Sequence, residues 1–392
     1  MDKVRVGVVG VGNMGTTHVK LLMENKIENA VLTAICDRNE KKIEAIKEKF
    51  KDDPRMQEIA CFTNADDLIA SGKCDLVTIA VPHYDHPTIA IKVLKAGLHV
   101  MVEKPAGVYT KQVKEMIEEA KKRPDQIFGI MFNQRTNPYF KKMREIIASG
   151  ELGEVRRTNW IITNWYRAQI YYDSGDWRAT WAGEGGGVLM NQSPHNIDLF
   201  WWITGMVPTK VRAFCHFGKW HNIEVEDDVT AYFEYENGAT GCFITSTADA
   251  PGTNRFEITC SKGKMVYENK KIMLTRLEED LRDYTFSTED GMGKPASKTE
   301  EIVLDEPNPQ HAGILNNIAN AILKIEPLYA RGEEGINGVQ IANGMLLSAW
   351  LGKEVSIPLD DDLYYEELQK RVKTSKKKEN VKEVVTNLDG TY

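Results

Sequence analysis

The sequence predicts an α/β protein in two parts: a doubly wound parallel sheet, then an α+β domain with a large, mainly antiparallel sheet. Three observations predict it. Strand-type and helix-type runs alternate through the first third. The turn Gly10-Val11-Gly12-Asn13-Met14-Gly15 joins the first strand to the first helix. Strand-type runs linked by a hairpin signal follow one another after residue 210. At 392 residues the chain is too long for one ordinary core.

In order, strands are expected at 4–9, 31–36, 76–81, 100–102 and 127–132, with helices at 16–24, 40–50, 86–95 and 111–122 between them. This alternation implies right-handed crossovers and a first domain over residues 1–133. The second domain is expected over 134–365. It opens with a helix at 140–149 and a long strand at 155–166. A Gly-rich turn at 183–187 then leads into a helix ending near 203. Strands follow at 210–217, 228–235, 240–247, 254–260 and 264–267, and Asn237-Gly238 is the signal for a hairpin. Residues 276–301 read as a polar, mobile excursion. Two helices are expected between 311 and 350, a short extended segment at 355–359, and a helical tail over 366–392. There is no internal repeat.

Net charge is −7, with both signs mixed along most of the chain, which excludes a nucleic-acid-binding face. The Lys-rich stretch 370–382 reads as a solvated terminal helix. The six cysteines are scattered, with no CxxC or paired His spacing, so neither a disulfide frame nor a metal site is expected. A cytoplasmic setting follows from that usage. Residues 4–9 are already a strand and no apolar run reaches membrane length, so neither a signal peptide nor a membrane partner is expected.

Each glycine of the turn has a physical role. Gly10 allows the tight bend, Gly12 lets a pyrophosphate approach the backbone, and Gly15 lets helix pack on strand. Asn13 and Met14 begin the helix whose amino end attracts diphosphate charge. Asp37 closes the second strand at the spacing of a ribose-binding acid. It favours NAD, and Arg38 beside it leaves room for NADP. Val81 and Pro82 end the third strand on the path of the cofactor, with His86 after them; His83 and His86 read mainly as local hydrogen-bonding residues. Val100-Met101-Val102 is a buried strand that stops abruptly at Glu103-Lys104-Pro105. Lys104 therefore stands at a strand carboxyl end, where open α/β sheets bind ligands, and is a candidate acid/base.

The segments GVGNMG, AVPHYDH, VEKP and GGGVLMNQSPHNIDLFWWITG, in this order, resemble the Gfo/Idh/MocA family. The resemblance runs from about Lys3 to about Leu359. It implies a Rossmann domain followed by a domain whose open sheet builds homodimers or homotetramers. It also implies roles for three residues. Lys104 matches a lysine contacting substrate hydroxyl and nicotinamide, His195 a histidine serving as general acid/base, and Asn191 a position often occupied by Asp. Asn191 is a departure, since an amide orients a hydroxyl but carries no charge.

Asn133 and Arg135 follow the last Rossmann strand and are expected to line the cleft on the cofactor side with Glu103 and Trp181. Trp165, Tyr166, Arg167, Tyr171, Trp177, Arg178 and His311 are candidate substrate contacts. Sugar rings stack their C–H faces on aromatics while their hydroxyls find polar partners. The activity implied is NAD-dependent oxidation of a ring hydroxyl of a sugar, glycoside or polyol, with carbon 3 one position open to it. Two alternatives share the fold: a redox-neutral, NAD-dependent glycoside-cleaving enzyme, and a non-catalytic sensor of NAD or sugar.

Overall fold

The computed structural model describes residues 3–376, Lys378 and Val381. The first part of the chain runs β1 (Val4–Val9), α1 (Asn13–Met23), β2 (Ala30–Cys36), α2 (Glu40–Lys49), β3 (Ala60–Phe62), α3 (Ala65–Ala70), β4 (Leu76–Ile79), α4 (Asp85–Lys95), β5 (His99–Val102), α5 (Thr110–Lys121) and β6 (Phe128–Ile130). Its six strands lie in the order β3-β2-β1-β4-β5-β6, all parallel. The central strands are near-continuous Val, Ile and Leu because both faces carry helices. The strand order reverses between β1 and β4, which opens a crevice at their carboxyl ends. β3 and α3 are additions to the elements read from the sequence; Asn64 caps α3 by accepting the Asp66 N–H.

The second part runs α6 (Pro138–Ala148), β7 (Val155–Ile162), α7 (Gln169–Asp173), α8 (Pro194–Trp202), β8 (Lys210–Phe217), β9 (Glu226–Glu234), β10 (Thr240–Ser246), β11 (Asn254–Cys260), β12 (Gly263–Glu268), β13 (Lys271–Leu277), α9 (Leu281–Ser287), β14 (Ser297–Ile302), α10 (Gln310–Ile322), α11 (Gly335–Leu351), β15 (Val355–Ser356) and α12 (Asp361–Val372). Nine strands form one sheet in the order β14-β13-β12-β11-β7-β10-β9-β8-β15. Every pairing is antiparallel except β10 with β7. The β9–β10 hairpin turns at Asn237-Gly238, where Gly238 has φ +81°. α8 and α11 cover one face of this sheet and bury Trp160, Phe200, Phe233, Phe243 and Phe256.

Three expectations are corrected here. Residues 276–301 are not a loop: β14 pairs with β13 from Leu277↔Ser297 to Ile272↔Ile302, and α9 lies between them. The long strand expected to Tyr166 ends at Ile162. The terminal helix starts at Asp361, buries Tyr364 and Leu368, and ends at Val372, inside the Lys-rich stretch. Beyond it, Ser375 Oγ donates to Glu224 at 2.6 Å and Lys378 Nζ to the Tyr172 carbonyl at 2.6 Å. The expected tail from 382 onward lies outside the described residues.

The two cores do not divide at residue 133. Ile314, Leu315 and Ile318 of α10, with Ala330 and Val339, pack into the core of the parallel sheet. The chain thus leaves the first domain, builds the second, and returns. Among the described residues, no helix is long and apolar enough to cross a membrane.

Candidate active site

The turn after β1 has the shape its glycines predict. Gly10 has φ +87°. A Cβ on Gly15 would stand 1.7 Å from the Gly10 carbonyl oxygen, whereas one on Gly12 would meet nothing within 4 Å. The open side of the turn is therefore at Gly12. No side chain caps α1, so its first N–H groups stay available to an anion. Asp37 Oδ2 accepts the Val11 N–H at 3.0 Å and Oδ1 the Asn39 N–H at 2.9 Å, which fixes the carboxylate beside the turn. Arg38 reaches across to Asp85 at 2.9 Å. Turn, helix end and acid fit a dinucleotide.

A cleft of about 830 Å³ starts at this turn and runs between the two domains. Gly10, Gly12, Asn13, Met14, Asp37, Arg38, Val81, Pro82, His86, Glu103 and Lys104 line it from the first domain. Trp165, Arg167, Tyr171, Trp177, Arg178 and Asn191 close its other end from the second. Gly15 lies beneath the turn. His86 braces the wall, with Nδ1 2.8 Å from the Pro105 carbonyl and Nε2 2.8 Å from that of Val81.

Lys104 follows β5, and its bond to Pro105 is cis. Its Nζ donates to the Asn191 carbonyl at 2.9 Å, so the two domains meet at this residue. Burial pulls the ammonium below its ordinary range, while the charges of Glu103 and Glu184 oppose that pull. His195 lies in the first turn of α8 and is 1% exposed. Burial holds it well below the usual histidine range, and Lys104 and His311 add to the effect. It is therefore a neutral imidazole at ordinary pH. Across the cleft, Arg178 donates to Tyr171 Oη at 2.9 Å, and the guanidiniums of Arg167 and Arg178 lie 5.2 and 4.7 Å from the Tyr171 ring.

Six expected contacts lie off the lining of the cleft: Arg135, Asn133, Trp181, Tyr166, His195 and His311. Arg135 is completely buried and holds Asp198 through two bonds of 2.7 and 2.8 Å, with Glu334 on its far side. Asn133, also buried, donates to Gln310 at 2.6 Å and ties the end of β6 to α10. Trp181 packs against Phe217 and Trp350 in the second core. Tyr166 faces solvent at 51% exposure.

His311 sits behind the cleft wall with His18 and Glu103, their donor atoms within 4.8 Å of one another. This is the one group among the described residues spaced to hold a metal ion. His18 Nε2 and Glu103 Oε1 stand only 2.9 Å apart. Two donors on one tetrahedral zinc would stand roughly 3.4 Å apart. The His18–Glu103 contact is closer than that, and the burial of Glu103 is outweighed by His18, His311 and Lys104, which hold the carboxyl below its usual range.

Two family models match the chain. Residues 4–130 match an oxidoreductase family described as an NAD-binding Rossmann fold, and residues 140–266 match the GFO/IDH/MocA C-terminal domain. The chain belongs to the Gfo/Idh/MocA family. It is accordingly an oxidoreductase with an NAD-binding Rossmann domain. Among relatives of this Gfo/Idh/MocA protein, myo-inositol 2-dehydrogenase of Thermotoga maritima is 26% identical over 338 residues, covering 84% of this chain and 92% of its own. The rhizopine catabolism protein MocA of Rhizobium meliloti is 27% identical over 54% of this chain and 61% of its own. In structure, the WlbA dehydrogenase of Bordetella pertussis, solved with NADH and UDP-GlcNAcA, superposes with a TM-score of 0.74 at 25% identity, covering 91% of this chain and 100% of its own.

Sequence reading missed Glu184 and Glu226. The signal for the first was a single charge inside the run Gly183-Glu184-Gly185-Gly186-Gly187. Glu226 is buried on β9, and its Oε1 accepts the Gly187 and Leu189 N–H groups at 2.8 and 3.0 Å. Burial pushes its carboxyl up to about 7, with Glu184 adding to the effect and those N–H groups opposing it. A folded-state value above the ordinary 4.5 means the native state holds this proton more tightly than the unfolded chain. The resulting stability is complete below about 4.5 and is lost as pH rises through about 7. Glu226→Gln keeps the acceptor oxygen and cannot ionise. Its melting temperature, compared with wild type by scanning calorimetry between those limits, is expected to fall less with rising pH; parallel curves would contradict this.

Proposed function

We propose that this oxidoreductase removes hydride from a secondary ring hydroxyl of a sugar, glycoside or polyol, working at the end of the cleft where Lys104 meets Asn191. One observation carries the reading: a half-buried cation from the NAD domain opens into the same space as aromatic and guanidinium side chains of the second domain. Tyr171 and Trp177 offer faces to ring C–H groups, and Arg167 and Arg178 offer donors to hydroxyls. The inositol and UDP-sugar in the names of the relatives above are polyhydroxylated rings, which supports the same substrate class.

NAD, when bound, takes the hydride and in doing so loses its positive charge. Lys104 directs its ammonium at the reacting oxygen and stabilises the alkoxide as it forms. Neutral His195 takes the hydroxyl proton. Lys104 and His195 disfavour being charged together. The proton taken up by His195 would balance the positive charge that a bound NAD would lose with hydride transfer, so the net charge of the site would be unchanged. Asn191 lines the cleft and orients a neighbouring hydroxyl.

A panel of sugars, glycosides and polyols incubated with NAD tests the reading. NADH absorbance is expected to rise with at least one ring compound. Tight NAD binding with no reduction across the panel would contradict it. Product formed without net NADH would identify recycling of the cofactor in place.

The outer face of the second sheet exposes Phe214, Tyr232 and Ile161, at 58%, 41% and 37%. These side chains stand on β8, β9 and β7, with β10 between the last two, and support assembly of two or four copies through this sheet. Light scattering is expected to return a dimer or tetramer mass; a monomer at micromolar concentration would contradict the assembly.

A further inference from the structure

Glu184 is the one charged residue of the Gly-rich segment before α8, and it is 1% exposed. The backbone fixes its direction. The N–H groups of Glu184 and Gly185 both donate to the Thr180 carbonyl, at 2.9 and 3.1 Å. Gly185 has φ +78°, and a Cβ on it would stand 2.2 Å from Val108. The carboxyl is thereby turned inward. One oxygen accepts the Ala179 N–H at 2.6 Å, and the other accepts from Asn191 Nδ2. Among the described residues no ion pair to Glu184 falls within contact distance, so the burial is not offset by a directly touching cation.

We propose that Glu184 is a positioning residue: by accepting the Asn191 amide hydrogen it fixes that side chain with Oδ1 toward the cleft, and it sets a negative charge behind the Asn191–Lys104 contact. The inference rests on the reading of Lys104 and Asn191 given above. A carboxylate only accepts, so Asn191 must present its NH₂ to it and keep its oxygen for a substrate hydroxyl. A hydroxyl that donates to Oδ1 turns its oxygen lone pairs toward other partners, with the Lys104 ammonium at hand. The neutral amide at 191 is thus backed by a carboxylate seven residues earlier in the chain.

The charges facing Glu184 come from four elements: Arg178 in the segment before it, Lys104 after β5, Glu226 on β9, and Lys378 beyond α12. Burial raises the Glu184 carboxyl, and Arg178 opposes it most among these. Glu184 in turn works against the burial that lowers Lys104. Removing its charge should let the lysine lose its proton at lower pH.

The test reads Lys104 directly, by competitive acetylation with acetic anhydride across pH and mass spectrometry of its peptide, which needs no turnover. In Glu184→Gln, Lys104 is expected to titrate about one pH unit lower than in wild type. With a substrate from the panel, kcat should fall roughly ten- to a hundred-fold and the alkaline limb of its pH profile should move the same way. The KM for NAD should stay within about two-fold. The double variant Glu184→Gln/Asn191→Asp, which moves the carboxylate to 191, is expected to return Lys104 close to its wild-type titration. Glu184→Asp keeps the charge if the Gln variant does not fold, and it too should hold Lys104 near the wild-type value. Lys104 titrating unchanged in Glu184→Gln, or falling equally in Glu184→Asp, would overturn the proposal. A wild type that oxidises nothing in the panel would instead sink the functional reading, and the acetylation result would still decide the role of Glu184.

Discussion

Lys104→Ala is expected to lower kcat by about 10²–10³-fold or more while leaving NAD binding close to wild type. The side chain has two duties. Its ammonium faces the proposed substrate end of the cleft, and its bond to the Asn191 carbonyl joins the two domains at the same point. The phosphate turn and Asp37 lie at the other end of the cleft and do not depend on it. Steady-state kinetics with calorimetric titration of NAD separates the two effects. Turnover within about ten-fold of wild type would remove Lys104 from the chemistry. Lys104→Arg is not a conservative control, because a planar guanidinium is longer and would displace Asn191.

Arg135→Ala is expected to destabilise the fold by about 3–5 kcal/mol, since it leaves the Asp198 carboxylate buried without its partner. The guanidinium lies 4.7 Å from the Phe132 ring and 5.2 Å from that of Trp202, so truncation also opens a cavity. Removing both charges, as in Arg135→Met/Asp198→Leu, should restore most of the loss, because well-packed apolar groups replace such pairs at little cost. Urea denaturation of the three proteins measures this. A single variant as stable as wild type would mean that water reaches Asp198.

The sequence was legible where local rules decide. The three glycines, the buried strand before them and Asp37 at the end of the next strand define one arrangement, and it is the one observed. Lys104 is read the same way, from an apolar run that stops on charge, and it lines the cleft. Illegible residues owe their places to partners far along the chain. Arg135 follows β6 and reads as a cleft residue until Asp198 and Glu334 fold over it. Trp181 precedes the Gly-rich turn, yet Phe217 and Trp350 claim its ring. Residues 297–301 are exposed and polar, so nothing local marks β14 as a strand; the open edge of β13 makes it one. β3 is three residues long, too short for an alternation to show.

The return of the chain to its first core sets an order of events during synthesis. Ile314, Leu315, Ile318, Ala330 and Val339 complete the packing of the parallel sheet, and they follow the last of its strands by about two hundred residues. At roughly 5–20 residues per second, a ribosome needs about 10–40 s to cover that gap. Throughout that interval the nascent chain carries a finished set of six strands with one flank uncovered, at Phe128 and Gly129, where Gly332 and Ile318 later close over them.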